Sequence, residues 1–166
     1  MAVHLVAERS EHLDAIEGVL DRAFGPGRFA KTSERVRERG AVLEGGLSRV
    51  AVEEDAVVGV CRIWRISVGE GAAFFLGPLA VDPGAQHQGL GLTLTREVIN
   101  ACRAARSAGA VILVGAEPFF RPIGFSLVPA GRVKLPGPVD AKRFLWLELR
   151  PGGLDGVAGE IDAPKA

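Results

Sequence analysis

The stretch FFLGPLAVDPGAQHQGLGLTLTREVINACRAAR, residues 74–106, combines three patterns that together decide the fold. Its apolar first part ends in a turn signal at residues 82–84, which predicts a strand buried on both faces. A short polar loop with Gly89 and Gly91 follows. Apolar residues then recur at spacings of three and four, which predicts an amphipathic helix. The segment is therefore interpreted as strand, glycine loop and helix.

A junction of this kind directs backbone N–H groups and the positive end of the helix dipole at one place, which favours an anion, most often a phosphate. A Walker loop is excluded, because Gly91 is followed by Leu92 and Thr93 instead of Lys and Ser/Thr. A dinucleotide fingerprint is disfavoured, because Leu94 stands where a third small residue is needed and residues 109–114 contain no acid.

Length and composition indicate one globular domain. The chain has 166 residues, of which 48% are hydrophobic and 24% charged. We predict a single domain over residues 1–150 and a polar, glycine-rich tail over 151–166. Lys+Arg and Asp+Glu are 20 each, so the charge gives no support for nucleic acid or an anionic membrane as a partner.

The two cysteines, Cys61 and Cys102, lie in apolar segments without metal-ligand spacing. We interpret them as buried, reduced thiols and expect no metal site. Neither a signal-peptide pattern nor a membrane-length apolar run is recognised. These observations together predict a cytoplasmic protein.

The remaining segments predict a mixed sheet. A first strand and a helix come before a hairpin, and the hairpin leads into the apolar strand. After the glycine loop and its helix comes a short buried strand. A last strand follows a Gly/Pro-rich loop. The strand segments are 3–7, 49–53, 56–66, 72–81, 110–114 and 144–149. Strand, helix and strand in this order imply a right-handed parallel crossover. The expected class is α/β, with a mostly antiparallel sheet, one parallel crossover pair and helices on both faces.

The loop pattern Gln86-x-x-Gly89-x-Gly91, placed after Val-Asp-Pro, resembles the pyrophosphate loop of the GCN5-related N-acetyltransferases (GNAT superfamily). The aromatic pair Phe119-Phe120, three residues before Gly-Phe, is similar to the family's later motif. The pieces LGPLAVDP, VILVG and LPGPVDAKRFLWLEL resemble the bacterial branch of predicted N-acetyltransferases. The resemblance covers roughly residues 3–150.

This resemblance implies the acyl-CoA N-acyltransferase fold, with acetyl-CoA as co-substrate in a V-shaped gap between the strands before and after the helix. Backbone groups of one strand segment would bind the pantetheine arm: Leu79, Ala80 and Val81. Backbone N–H groups of the loop and helix start would hold the pyrophosphate: Gln86, His87, Gln88, Gly89, Leu90, Gly91 and Leu92. Glycine suits such a loop, because no Cβ keeps the backbone from the phosphate.

The resemblance also implies direct attack of an amine on the thioester, with a base for the amine and commonly a Tyr as acid for the thiolate. Phe120 stands at that Tyr position, and the chain has no Tyr. Phe120 would then only pack against the pantetheine, and the thiol, with a pKa of about 8.5, would leave as thiolate. Glu117 is a weak candidate for the base, and Glu70 is expected to be an exposed turn acid. Asp82 is expected to cap the loop, and Ala116 replaces an Asp common in related sequences.

Two functions follow. The first is an N-acetyltransferase acting on a primary amine of a small molecule or protein. The alternative is a non-catalytic acetyl-CoA-binding sensor, suggested by Phe120 and Ala116. The sequence does not identify the acceptor: the basic segment 28–39 fits either a solvated helix face or a rim that faces substrate or CoA. The chain is expected to be a monomer or a homodimer.

Overall fold

The computed structural model of the chain describes residues 2–85 and 89–165. The strands are β1 His4–Ala7, β2 Val42–Leu43, β3 Arg49–Glu53, β4 Ala56–Val68, β5 Gly71–Val81, β6 Ala110–Val114, β7 Ser126–Leu127, β8 Val133–Lys134, β9 Phe144–Glu148 and β10 Gly159–Asp162. The α-helices are α1 Leu13–Phe24, α2 Thr32–Glu38, α3 Leu90–Ala105 and α4 Glu117–Phe120. Short 3₁₀ turns are formed by Ser10–His12, Pro26–Ala30, Arg121–Ile123 and Ala141–Arg143.

The strands form one mixed sheet in the order β1-β3-β4-β5-β6-β9-β7. The edge of β4 that faces β3 also pairs with β2 and β10 farther along the strand. Among the described strands, β5 with β6 and β8 with β10 are parallel pairs, and the other pairs are antiparallel. The predicted fold, mostly antiparallel with a parallel crossover, is confirmed.

Helices cover both faces of the sheet, because neighbouring residues of a strand point to opposite faces. Phe74 packs with the buried side of α3, and we call that side the α3 face. Phe75 packs with Val36 of α2 on the other side, which α1 also covers; we call it the α1 face. Both phenylalanines are at most 1% exposed, so β5 is central and buried on both faces as predicted.

From the sequence, the first glycine after the apolar periodicity of residues 90–105 is Gly109, which predicts that the helix ends there. The structure differs from this prediction. The helix ends at Ala105, and Arg106 adopts the left-handed conformation, with φ of 57°. Gly109 serves another purpose, since a Cβ there would lie 2.2 Å from the carbonyl oxygen of Gly153. It is needed for a close approach of two backbone segments.

The segment after residue 150 contains a strand that the sequence did not predict. β10 pairs with the end of β4, and Val157 and Ile161 are at most 1% exposed. Only these isolated apolar residues mark the strand, which is too little for a period-2 pattern. Within residues 2–85 and 89–165, no helix combines the length and hydropathy that crossing a membrane would require.

Candidate active site

The site begins where β5 and β6 separate. Among the described residues their parallel pairing is limited to Phe74 with Val111 and Phe75 with Ile112. β5 nevertheless continues to Val81, still paired with β4. The register of that antiparallel pair shifts opposite residues 76–79, which marks a bulge or irregularity. β5 therefore follows β4 and leaves an opening beside β6.

The backbone of β5 alternates between β4 and this opening. The N–H of Asp82 donates to the carbonyl oxygen of Val58 on β4, at 2.8 Å. Because successive backbone groups of a strand point to opposite sides, those of Val81 and Leu79 point into the opening. Those of Ala80 point toward β4. Of the three residues predicted along the pantetheine, two thus present backbone groups to the gap.

The start of α3 lies next to this gap. Gly89 occupies the N-cap position with φ of 78° and provides no side-chain cap. The N–H of Thr93 donates to the Gly89 oxygen at 3.0 Å, so the N–H groups of Leu90, Gly91 and Leu92 have no acceptor within the helix. These donors and the helix dipole favour an anion here.

Two contacts place the helix start beside the other predicted elements. A Cβ on Gly91 would lie 3.6 Å from the Phe119 ring and 3.9 Å from a methyl group of Val81. Gly91, the end of β5 and the aromatic pair therefore lie close together. The predicted loop residues Gln86, His87 and Gln88 lie outside the described residues.

Asp82 caps the turn after β5, as expected. Its Oδ1 accepts the N–H of Gly84 at 3.0 Å, and its Oδ2 accepts from the Arg22 guanidinium at 2.7 Å. The hydrogen bond from Arg22, followed by that from Gly84, lowers the pKa of the Asp82 carboxyl. The ion pair ties the beginning of the glycine loop to α1.

A cavity of about 760 Å³ opens at the strand separation. Its apolar lining comes from α1, the sheet and α4, and includes Leu20, Phe24, Trp64, Leu76, Leu113 and Phe120. Its charged lining includes Glu17, Arg28, Lys31, Glu34, Arg37, Arg62, Asp140 and Arg143. Residues from both faces of the sheet contribute, so the cavity reaches through the gap. Among the described residues, no group of three or more His, Cys, Asp or Glu could hold a metal ion.

Phe120 is 7% exposed and lines this cavity. Its ring centroid lies 4.8 Å from that of Phe119 and 5.6 Å from that of Phe125, both in edge-on arrangements. The ring is therefore fixed by packing and presents no proton donor to the cavity.

The two predicted acids occupy less favourable positions for a base. Glu117 begins α4, accepts a hydrogen bond from Arg121 at 2.7 Å and is not among the residues lining the cavity. Glu70 lies in the β4–β5 turn, where its side chain is 93% exposed and pairs with Lys165. The expectation of an exposed turn acid at Glu70 agrees with this placement.

The structure brings several residues to the cavity that the sequence did not assign. Arg28, Lys31 and Arg37 of the basic segment line it, whereas Arg35 is not among the lining residues. Glu34 and Arg37 form an i,i+3 ion pair, a spacing that could have been recognised in the sequence. By contrast, nothing in the sequence indicated that Arg62 on β4 would face the cavity.

Comparisons with known proteins agree with this geometry. The family model described as Acetyltransferase (GNAT) family matches residues 13–125. The search of curated proteins found no significant match.

Several solved structures share the fold. The GNAT family N-acetyltransferase YhbS from Escherichia coli, in complex with CoA, is 24% identical with a TM-score of 0.79, covering 98% of this chain and 89% of that chain. A GNAT family acetyltransferase from Brucella melitensis, in complex with acetyl-CoA, is 24% identical with a TM-score of 0.70. The match covers 99% of this chain and 97% of that chain. An acetyltransferase of the GNAT family from Staphylococcus aureus Mu50 is 16% identical with a TM-score of 0.61, covering 90% and 100%. With more than half of its length matched by the family model, the chain belongs to the GNAT acetyltransferase family.

Proposed function

We propose that the chain transfers the acetyl group of acetyl-CoA to a primary amine by direct attack of the amine on the thioester. The observation that carries this proposal is the gap between β5 and β6, where backbone groups, the start of α3 and a cavity meet. The related structures from E. coli and B. melitensis contain CoA and acetyl-CoA, which supports the same ligand here.

In the proposed complex the pantetheine arm extends along β5. The gap-facing N–H and C=O groups of Leu79 and Val81 pair with its amides, and Ala80 packs beneath. The N–H groups of Leu90, Gly91 and Leu92 bind the pyrophosphate, together with the loop residues Gln86, His87 and Gln88 and the N-cap Gly89. All these contacts use the backbone, so the side chains of the loop need not be specific.

The proposed reaction forms a C–N bond and breaks the C–S bond of the thioester. The amine loses a proton, and we propose that a carboxylate lining the cavity, Glu17 or Asp140, accepts it directly or through water. Glu34 also lines the cavity but is held by two hydrogen bonds from Arg37. The placement of Glu117 makes it a less suitable base. CoA leaves as a thiolate, with a pKa of about 8.5, and takes its proton from solvent, because Phe120 cannot supply one.

The alternative is an acetyl-CoA-binding module without catalysis, and Phe120 at the position of the usual acid favours it. The two functions share the cofactor site and differ only in turnover. They are separated by measuring release of CoA thiol in the presence of amines.

The cofactor site is tested with a matched pair of variants at Gly91, whose backbone is helical and whose Cβ position has room. Gly91→Glu places a negative charge at the pyrophosphate site, and Gly91→Gln adds nearly the same volume without charge. A carboxylate in the first turn is compatible with the helix dipole, so both variants should fold. Calorimetric titration should show that Gly91→Glu weakens acetyl-CoA binding at least about tenfold more than Gly91→Gln.

Wild type is titrated with NADH as the control ligand, and no binding is expected. If folded wild-type protein does not bind acetyl-CoA, both functions are excluded. If it binds acetyl-CoA but releases no thiol with any amine, the transferase proposal fails and the sensor alternative stands.

A further inference from the structure

Three arginine side chains lie buried around the cavity on the α1 face. Arg28 and Arg37 are each 11% exposed in their side chains, and Arg62 is 7% exposed. All three line the cavity. Burial removes the hydration of a guanidinium, so buried arginines are normally paired with carboxylates. These three are paired in this way: Arg28 with Glu17, Arg37 with Glu34 and Arg62 with Glu8.

Two of these arginines donate hydrogen bonds to a carboxylate from Nε and Nη2 only, which form one edge of the guanidinium. Arg37 donates from Nε and Nη2 to Glu34, at 3.2 and 2.7 Å. Arg62 donates from Nε and Nη2 to Glu8, at 3.0 and 2.9 Å. Among the described residues, the Nη1 group of neither arginine has a hydrogen-bond acceptor. These Nη1 groups are therefore available to donate to a ligand in the cavity that both side chains line.

The arginines are also close enough to repel each other. Burial is the largest cause of the lowered pKa of the Arg37 guanidinium; Glu34 acts in the opposite direction, and the positive charges of Arg62 and Arg28 lower the pKa further. Among the described residues that line the cavity, five are cationic and three are carboxylates, so the lining is net positive and favours an anion.

The position of the cluster separates it from the phosphates of CoA. Arg37 comes from α2 and lies over the Trp64 ring, at 5.9 Å from the ring centroid, on the α1 face. The start of α3, where the pyrophosphate is proposed to bind, packs on the α3 face. An anion held by the arginines would therefore lie apart from the proposed pyrophosphate site.

We infer that the acceptor is a small amine that also carries an oxyanion, a carboxylate or a phosphate, bound by the Nη1 groups of Arg37 and Arg62. That the oxyanion belongs to the acceptor rests on the proposed function, whereas the oxyanion site itself can be tested by binding. A guanidinium donates in a planar fork that suits both oxyanions, and a phosphate presents more oxygen atoms than a carboxylate.

The binding test uses products, which need no turnover. Protein saturated with CoA is titrated calorimetrically with N-acetyl amino acids, the matching N-acetyl amino acid amides and N-acetyl-2-aminoethylphosphonate. We expect the acids or the phosphonate to bind at least about tenfold more tightly than the amides. The carboxylate and phosphonate arms distinguish the two oxyanions. The inference is overturned if neither the acids nor the phosphonate bind more tightly than the amides.

Arg37→Gln is the informative variant, because its partner Glu34 is partly exposed and can be hydrated. The control is Arg35→Gln, which removes a like charge from the same helix at a position outside the cavity lining. Arg37→Gln should weaken anion binding about 10- to 100-fold, the size of one charge-assisted hydrogen bond. Arg35→Gln should leave it within about twofold, and both variants should keep acetyl-CoA affinity.

In turnover measurements with an amine that carries an oxyanion, Arg37→Gln should raise the KM of this amine and leave the KM of acetyl-CoA unchanged. The matching neutral amine should be affected little. If wild type shows no turnover but still binds anions selectively, the transferase proposal fails and the oxyanion site stands. Equal effects of Arg37→Gln and Arg35→Gln on anion binding would show that the cluster does not hold the anion.

Discussion

At the residue scale, the two thiols show how burial sets chemistry. Cys61 of β4 is fully buried and Cys102 of α3 is 1% exposed, and both belong to the core on the α3 face. Burial raises the pKa of both thiols, that of Cys102 to about 12. Both therefore stay protonated and unreactive at neutral pH, as the apolar sequence context predicted. They will not contribute background to a thiol-release assay with the folded protein.

These shifts predict a loss of stability in alkaline solution. An unfolded thiol ionises above about pH 8.5, whereas the folded Cys102 thiol resists ionisation until about pH 12. The contribution of the buried thiol to the free energy of unfolding is fully present below the pKa of the unfolded thiol. It is lost as the pH rises from about 8.5 to about 12. The free energy of unfolding should fall by about 1.4 kcal/mol per pH unit for each thiol.

Denaturant unfolding of wild type and Cys102→Ala between about pH 8 and 11 measures this slope. The variant should lose stability less steeply with pH, although it starts lower because a small cavity is created. Identical slopes in the two proteins would contradict the prediction.

The arginines of the cavity show that residue type alone does not predict which charged side chains face a cavity. The basic segment 28–39 fits either a solvated helix face or a rim that faces substrate or CoA, and the structure divides it between the two. Sequence alone cannot decide which charge of a short helix faces a cavity, because that depends on how α2 docks on the sheet. Arg62 gave no signal, since its partner Glu8 is distant in sequence.

At the element scale, the start of α3 depends on Gly89. Its φ of 78° lies in the left-handed region, although a Cβ there would meet nothing within 4 Å among the described residues. With respect to those residues, any destabilisation caused by a side chain at Gly89 comes from the backbone conformation and not from a clash.

Gly89→Ala is expected to lower the free energy of unfolding by about 1–2 kcal/mol, and Gly89→Asn by less, because Asn tolerates the left-handed region better. Thermal or urea unfolding measures both. Equal losses for Ala and Asn, or none for Ala, would show that the N-cap conformation is not strained by a side chain.

The elements themselves followed from periodicity and turn chemistry. Glu54 and Asp55, with φ of 49° and 64°, form the predicted hairpin turn between β3 and β4. The separation of β5 from β6 came only from the family resemblance, because a bulge depends on the register between strands that no local pattern encodes. The expected helix end at Gly109 was wrong, because that glycine is required by a close backbone approach to Gly153.

At the scale of the whole molecule, β4 connects the C-terminal segment to the sheet. Ile161 of β10 is fully buried beside Val68, and Arg132 donates to the carbonyl oxygens of Val157 and Leu154, at 2.9 and 2.8 Å. The residues after 150 thus contribute to the core. The sequence did not reveal this, because a strand of four residues with one buried side chain has no readable pattern.

Ile161→Ala should therefore cost about 2–5 kcal/mol of stability, as for other large buried aliphatic side chains. The control is Glu160→Ala on the same strand, whose exposed pairing with Lys134 at 3.8 Å contributes little. Urea unfolding of the two variants gives the comparison. A similar small loss in both would mean that β10 is not part of the cooperative core.

The opening between β5 and β6 has a further consequence for the order of events. Since residues of both faces line the cavity, the sheet has a passage there, with CoA proposed on one side and the acceptor on the other. Neither substrate needs to leave before the other arrives, and the nearby thiols are too deeply buried to carry an acyl group between them. A passage of this kind favours a ternary complex over an acylated enzyme in the proposed reaction.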